Sequence, residues 1–191
     1  MQQLLLDIAI NKNERFSAEE FLPLANSFNA HRIVLSSLAN SLTGCIIMGP
    51  KGVGKTHLLN VSRQFFDNAD EVLVIKNIFD LPPVKSEIKY LLVDNISELN
   101  FEQQELLFHW YNHLKDCNGK LVIVLDKTID EIVSLKDLKS RMMTLQQAIL
   151  DYPNDKDLEI FILKQAFDRQ IEIANDVLSY MILRIERNFN K

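Results

Sequence analysis

The sequence of 191 residues predicts an α/β protein built on a parallel, doubly wound sheet. Two observations predict this class. Continuous apolar runs of strand length alternate with helical patterns, and such alternation produces parallel strands joined by crossover helices. In addition, residues 49–56 read GPKGVGKT, which completes the pattern G-x-x-x-x-G-K-[ST] between a predicted strand and a predicted helix.

Four apolar runs are expected to form the central strands, because a strand covered on both faces carries few polar residues. They are residues 44–48, 72–76, 90–94 and 121–125.

Helical patterns lie between these strands and after the last of them. They cover residues 26–39, 56–66, 157–167 and 176–185, and a further helix begins after Asn100. Asn26 is expected to cap the first helix, and Asn100 with Gln103 is expected to form a capping box. Asn118-Gly119 predicts the turn into the fourth strand. The last helical pattern still continues near residue 190.

Composition is typical of a soluble globular protein, with 47% hydrophobic and 25% charged residues. The formal net charge of -5 disfavours non-specific binding to duplex DNA. Cys45 falls in a predicted strand and Cys117 in a loop, which favours a reduced, cytoplasmic protein. The sequence contains no apolar run of membrane-spanning length and no signal-peptide pattern.

The glycine-rich loop predicts a phosphate-binding site. Its glycines let backbone N–H groups turn toward a phosphate chain, and the following helix N-terminus adds partial positive charge. Lys55 is expected to reach the β- and γ-phosphates and Thr56 to ligate Mg²⁺. The alternative is a glycine-rich turn that matches the pattern by accident. The expected nucleotide-binding residues are Gly49, Pro50, Lys51, Gly52, Val53, Gly54, Lys55, Thr56 and His57.

A carboxylate is needed beside this loop to help hold the metal, and Asp94 supplies it at the end of the apolar run 90–93. Asp94 could also simply end its strand. The next residue, Asn95, can orient a water molecule but cannot accept its proton. Glu98 lies one turn further and is a weaker candidate for that task. The site is therefore expected to bind nucleotide and to hydrolyse it weakly or not at all.

Two further charged residues have both a functional and a structural interpretation. Asp126 ends the fourth predicted strand, where it could sense the γ-phosphate or cap the next segment. Arg141 follows a short helix, from which an arginine can reach a neighbour's phosphates in trans or form a surface ion pair.

The order of these motifs resembles the AAA+ ATPase domain of the bacterial replication initiator DnaA, and in particular the short Hda-like group of that family. The resemblance spans nearly the whole chain. It implies a P-loop AAA+ three-layer sandwich with a five-stranded parallel sheet, followed by a truncated α-helical lid. Residues 16–150 then form the nucleotide-binding domain and residues 151–191 a partial lid, with ADP or ATP and Mg²⁺ as cofactors.

The resemblance also implies roles for single residues. Residues 91–95 match the Walker B segment, which in Hda-like proteins also ends in Asp-Asn, and residues 21–26 match the segment near the adenine. Asp126 falls on the sensor 1 position, and the segment 135–141 places Arg141 on the arginine finger. The sensor 2 arginine falls on Asn190, for which Arg187 is a candidate substitute. Asn95 completes the expected catalytic set.

The N-terminal residues 1–15 combine a short apolar run with a polar linker. They are similar to the peptide with which Hda-like proteins dock on the DNA polymerase sliding clamp, its beta subunit. The expected contacts are Gln3, Leu4, Leu6 and Ile8, with Asp7 in place of the usual proline. The alternative is an edge strand or a first helical turn of the main domain.

The resemblance implies a regulator that docks on the clamp and offers Arg141 to initiator-bound ATP. No helix-turn-helix segment follows the lid, so sequence-specific DNA binding is not expected, and neither is membrane association. A homo-oligomer is possible. One alternative is a non-hydrolysing DnaA-family scaffold or competitor in replication complexes. Another is an ATPase of the helicase-loader type, which the chemistry of Asn95 disfavours.

Overall fold

The computed structural model describes residues 22, 24–40 and 43–187. Five parallel strands form one sheet in the order β2-β3-β4-β1-β5. The strands are β1 Gly44–Met48, β2 Val72–Ile75, β3 Tyr90–Ile96, β4 Lys120–Leu125 and β5 Gln146–Ile149. The predicted parallel sheet is confirmed, and β4 lies between β1 and β3.

Seven α-helices precede, connect and follow these strands in the described part of the chain. They are α1 Ala25–Ala39, α2 Lys55–Arg63, α3 Phe101–Asp116, α4 Ile129–Ile132, α5 Lys136–Met142, α6 Asp155–Asp168 and α7 Asn175–Arg184. Short 3₁₀ turns at Ala69–Glu71 and Ile78–Asp80 flank β2. The capping box predicted for α3 is confirmed, since Asn100 Oδ1 accepts from Gln103 N–H at 2.9 Å and Gln103 Oε1 accepts from Asn100 N–H at 3.1 Å.

Two sequence predictions about helix ends are wrong. Leu24, rather than Asn26, is the N-cap of α1. Asn26 lies in the first helical turn, where its side-chain nitrogen donates to the Asp151 carbonyl at 3.0 Å. Helix α7 ends at Arg184 instead of continuing toward residue 190, because the backbone at Ile185 is extended.

The helices cover both faces of the sheet and complete three layers. On one face, Trp110 and Leu107 of α3 and Leu138 of α5 pack on side chains of β3 and β4. On the other, Val34 of α1 and Leu58 of α2 pack on alternate side chains of β1 and β4. Burial on both faces explains why the central strands are uninterrupted apolar runs.

Helix α6 is tied to the first helix by one carboxylate. Asp157, 2% exposed, accepts from Ala25 N–H of α1 at 2.9 Å through Oδ1. Its Oδ2 accepts from Asn154 N–H at 3.2 Å and closes the capping box of α6. One buried side chain therefore satisfies the N-termini of two helices that are far apart in the sequence.

Within the described residues, no helix combines the length and apolar character needed to cross a membrane. The proposed peptide and linker at 1–15, including Gln3, Leu4, Leu6 and Ile8, lie outside the described residues, as does Asn190.

Candidate nucleotide site

The glycine-rich loop connects β1 to α2 at the carboxyl edge of the sheet. Gly54 is the N-cap of α2 with φ 99°, and Gly52 has φ 84°, so both adopt backbone conformations that other residues rarely take. A Cβ on Gly49 would lie 2.3 Å from the Leu150 carbonyl oxygen. The loop therefore needs glycine at these positions, and its shape leads directly into the N-terminus of α2.

Lys55 is folded into the loop and is only 7% exposed. Its ammonium group donates to the carbonyls of Gly49 at 2.7 Å and Pro50 at 2.8 Å. It also forms an ion pair with Asp126 at 3.1 Å. All three N–H donors of the ammonium group are thereby used, and the buried charge is both paired and hydrogen-bonded.

Thr56 and Asp94 come together beside Lys55. The Thr56 hydroxyl donates to Asp94 Oδ1 at 3.1 Å. Burial raises the pKa of the Asp94 carboxyl, the negative charge of Asp126 raises it further, and the Thr56 bond and the Lys55 charge oppose these effects. These two oxygens are hard donors of the kind that Mg²⁺ prefers when phosphates and water complete its shell, so the residues fit that ion.

A β-bulge in strand β3 directs the Asn95 side chain toward β4. The ladder between β3 and β4 is interrupted from Val93 to Ile96, and Asn95 has φ 62°. With the amide oriented to match its partners, the Asn95 nitrogen donates to Asp126 Oδ2 at 2.5 Å and Oδ1 at 2.7 Å. Asparagine tolerates this left-handed backbone better than most residues.

These contacts make one network behind the glycine-rich loop. Asp126 forms an ion pair with Lys55, which follows the loop after β1, and accepts hydrogen bonds from the Asn95 amide of β3. Asp94 accepts a hydrogen bond from Thr56. The carboxyl edges of β1, β3 and β4 are adjacent, so three segments far apart in sequence meet here. The arrangement can hold charged groups close together. Asn95 cannot act as a general base in it, because an amide does not accept a proton.

The structure also places the remaining predicted residues. In the loop, Val53 is buried in the core, Lys51 is exposed, and His57 is partly buried in the first turn of α2. Glu98 is exposed in the segment between β3 and α3. Asp126 does not cap the next segment, because the N-cap of α4 is Thr128.

Arg141 lies away from this network, on α5. Its guanidinium carbon is 5.9 Å from the centre of the Tyr111 ring, and its side chain is half-buried. Among the described residues, Arg141 has no ion-pair partner, so the expected surface ion pair is not formed there.

A cavity that the sequence did not indicate lies between the start of α1 and the start of α6. Its volume is about 350 Å³, and its lining includes Leu22, Leu24, Asn154, Lys156 and Ile160. Asn154 followed three residues later by Asp157 is a local capping pattern at this place, but that pattern does not indicate that α1 would join it.

A five-stranded parallel sheet between two helical layers, with the glycine-rich G-x-x-x-x-G-K-[ST] loop after β1 and Asp94 on β3, defines a P-loop protein of the AAA+ class. The chain belongs to the bacterial DnaA ATPase domain family, whose model matches residues 12–147. It is 27% identical over 199 aligned positions to the chromosomal replication initiator protein DnaA of Borrelia garinii subsp. bavariensis, covering 92% of this chain and 41% of that protein. The chain thus spans about two fifths of the length of the curated relatives that it matches.

Solved structures agree on the fold. Domain III of the Thermotoga maritima initiator DnaA matches with a TM-score of 0.77 at 19% identity, over 92% of this chain and 83% of that one. AMPPCP-bound DnaA from Aquifex aeolicus matches with a TM-score of 0.76 at 18% identity, over 91% and 61%. The RuvB Holliday junction branch migration motor of Thermotoga maritima matches with a TM-score of 0.62 at 19% identity, over 88% and 59%.

Proposed function

We propose that this chain binds ADP or ATP with Mg²⁺ at the loop 49–56. The observation that carries the proposal is the convergence of Lys55, Asp126, Asn95, Thr56 and Asp94 at one edge of the sheet. The AMPPCP-bound state of a relative with the same fold supports it. A phosphate chain would compete with Asp126 for the Lys55 ammonium, so nucleotide binding would rearrange this ion pair.

Thr56 and Asp94 would hold the metal ion, which when bound would offset the negative charge of the phosphates. Lys55 would bind and orient the phosphate chain, and the N-terminus of α2 would favour its charge. The Asn95 amide would keep the Asp126 carboxylate oriented through its hydrogen bonds, but it would not accept a proton from water. Intrinsic hydrolysis is therefore expected to be weak or absent.

Calorimetric titration with ADP and with ATP tests nucleotide binding. Lys55→Ala is expected to weaken binding by roughly 100-fold, because removing one partner of a charged, desolvated contact costs several kcal/mol. Lys51→Ala is the matched control, since Lys51 stands in the same loop but is exposed. Equal binding by the native protein and Lys55→Ala would contradict the proposal.

We further propose that the chain is an Hda-like regulator of replication initiation that promotes ATP hydrolysis by the initiator DnaA. Membership of the DnaA family supports a role in replication. The position of Arg141 on α5, 5.9 Å from the centre of the Tyr111 ring and without an ion-pair partner among the described residues, supports a role as an arginine finger in trans.

The arginine finger is tested by measuring ATP hydrolysis of the initiator with and without this protein. Arg141→Ala is expected to lower the stimulation by about 10³-fold or more, as for other arginine fingers. Arg169→Ala is the control, because Arg169 is bound by Gln165 within α6. Unchanged stimulation by Arg141→Ala would exclude this assignment.

Clamp docking by residues 1–15 is tested separately by a pull-down with the sliding clamp. The full chain is expected to bind the clamp, and a chain lacking residues 1–10 is expected not to bind it. If neither form is retained, the clamp part of the proposal fails while nucleotide binding stands.

The second candidate is a scaffold or competitor that binds no nucleotide. The closed contacts of Lys55 with Gly49, Pro50 and Asp126 favour it, because they satisfy the ammonium group without a ligand. Absence of ADP and ATP binding at micromolar concentrations, with a normally folded protein, would select this candidate.

A further inference from the structure

The outer face of helix α7 is apolar and uncovered in the described part of the chain. Val177 is 49% exposed, Tyr180 61% and Leu183 81%, whereas Leu178 on the opposite side is buried. At 3.6 residues per turn, these three residues, with Asp176 and Arg184, fall within a stripe about 120° wide that is centred on Tyr180. Helix α7 thus packs on the protein with one face and exposes an apolar stripe on the opposite face.

Helix α6 of the same hairpin adds apolar surface. Phe167 is 82% exposed, and with Leu163 and Ile171 it lines a groove of about 590 Å³. These residues form a second apolar patch beside the one on α7. Exposed apolar residues that are grouped in this way mark interaction sites, whereas single exposed apolar residues do not.

The charges on α7 indicate what covers this face. Asp176 stands in the first turn and Arg184 at the last residue, each on the side of the helix that carries Tyr180 and equally distant from it along the chain. In a second copy running antiparallel, Asp176 meets Arg184, Val177 meets Leu183, and Tyr180 meets Tyr180. A parallel copy would instead place like charges together, which is unfavourable.

We propose that this face is a homodimer interface in which α7 packs antiparallel on α7 of a second copy, with the two-fold axis at Tyr180. Such an interface is isologous, so the ion pair between Asp176 and Arg184 is formed twice by symmetry. The helix dipole explains the signs of Asp176 and Arg184. It does not explain the apolar residues between them, which the second copy does.

Arg184 lies on the same stripe and contacts Tyr180. Its guanidinium carbon lies 5.3 Å from the centre of the Tyr180 ring, so the side chain lies along the stripe. The helix has ten residues, and a contact of this length belongs to the weaker class of interfaces. We therefore expect a concentration-dependent dimer.

The proposal is tested by sedimentation velocity of the full chain across a dilution series. Asp176→Arg and Arg184→Asp are each expected to weaken self-association by roughly tenfold or more, because each places like charges opposite one another. An equimolar mixture of the two variants is expected to associate again, since every cation of one copy then faces a carboxylate of the other. Circular dichroism checks that each variant keeps its helical content.

Leu183→Ser is expected to weaken association as well, whereas Phe79→Ser is the control. Phe79 is also an exposed apolar residue, but it lies in the 3₁₀ turn after β2. A chain that is monomeric at every concentration overturns the proposal. Association that survives Leu183→Ser, or that fails to return in the mixture, also overturns it. Nucleotide titration of the same variants is independent of these outcomes.

Discussion

Asp94 holds a half-buried carboxylate between the Thr56 hydroxyl and the nearby charge of Asp126. Its raised pKa means that the folded protein binds this proton more tightly than the unfolded chain. The contribution of Asp94 to the free energy of unfolding therefore falls as the pH rises from its ordinary pKa through the raised value. At neutral pH the charged group destabilises the ligand-free protein, which is consistent with the proposed cation site.

Asp94→Asn is therefore expected to raise the Tm of the nucleotide-free protein at neutral pH in EDTA. The Asn side chain still accepts from Thr56 and carries no charge. The advantage should shrink as the pH falls below the ordinary carboxyl pKa, where the native Asp94 is also neutral. Thermal melts over a pH series measure this. The exposed Asp67→Asn is the control, and an equal effect of both substitutions would contradict the explanation.

Among the helices, α1 and α6 depend on each other through Asp157. Helix α1 has no side-chain cap of its own, and Ala25 N–H is instead bound by a carboxylate 132 positions later. A buried acceptor that serves two helix N-termini connects the last helical pair to the sheet domain. This contact also closes one side of the cavity beside Leu24.

Asp157→Ala is expected to lower the free energy of unfolding by roughly 2–3 kcal/mol. The substitution removes two hydrogen bonds to a buried carboxylate and leaves the N–H groups of Ala25 and Asn154 without these acceptors. Urea denaturation measures the loss. Glu159→Ala on the same helix is the control and is expected to stay within about 0.5 kcal/mol, because Glu159 is exposed. Similar losses for both would rule out the role assigned to Asp157.

For the molecule as a whole, the site lies where β1, β3 and β4 meet, so a ligand there contacts the centre of the sheet. A ligand that binds only the folded state adds RT ln(1 + [L]/Kd) to stability, about 2.7 kcal/mol at 100 times Kd. For a chain of this size, 1 kcal/mol corresponds to roughly 2–4 °C in Tm. Nucleotide binding should therefore be visible in the global unfolding transition.

ADP with Mg²⁺ at 100 times its Kd is expected to raise the Tm by roughly 5–10 °C. Chelation of the metal by EDTA should reduce the shift, because Thr56 and Asp94 would lose the cation that links them to the phosphates. At the same ADP concentration, Lys55→Ala should reduce the shift to roughly 1 °C, because binding weakened about 100-fold leaves the site half-occupied, and Lys51→Ala should retain the full shift. Differential scanning fluorimetry gives the measurement, and an equal shift in Lys55→Ala would show that the ligand binds elsewhere.

The sequence by itself determined the features that rest on local patterns. The four apolar strands, the glycine-rich loop and the capping box of α3 each depend on neighbours within a few residues, so the local sequence was enough to predict them. The cap of α1 could not be predicted in this way, because its acceptor is supplied by Asp157 from another part of the chain.

Only the tertiary structure decided the features that depend on which strands lie next to each other in the sheet. Strand β5, Gln146–Ile149, begins with two glutamines and lies at the sheet edge, so it lacks the continuous apolar run that marked the other strands. The contacts of Asp126 with Lys55 and Asn95 arise because β4 inserts between β1 and β3. The sequence marked these three residues singly, but their joining in one network is a property of the sheet order.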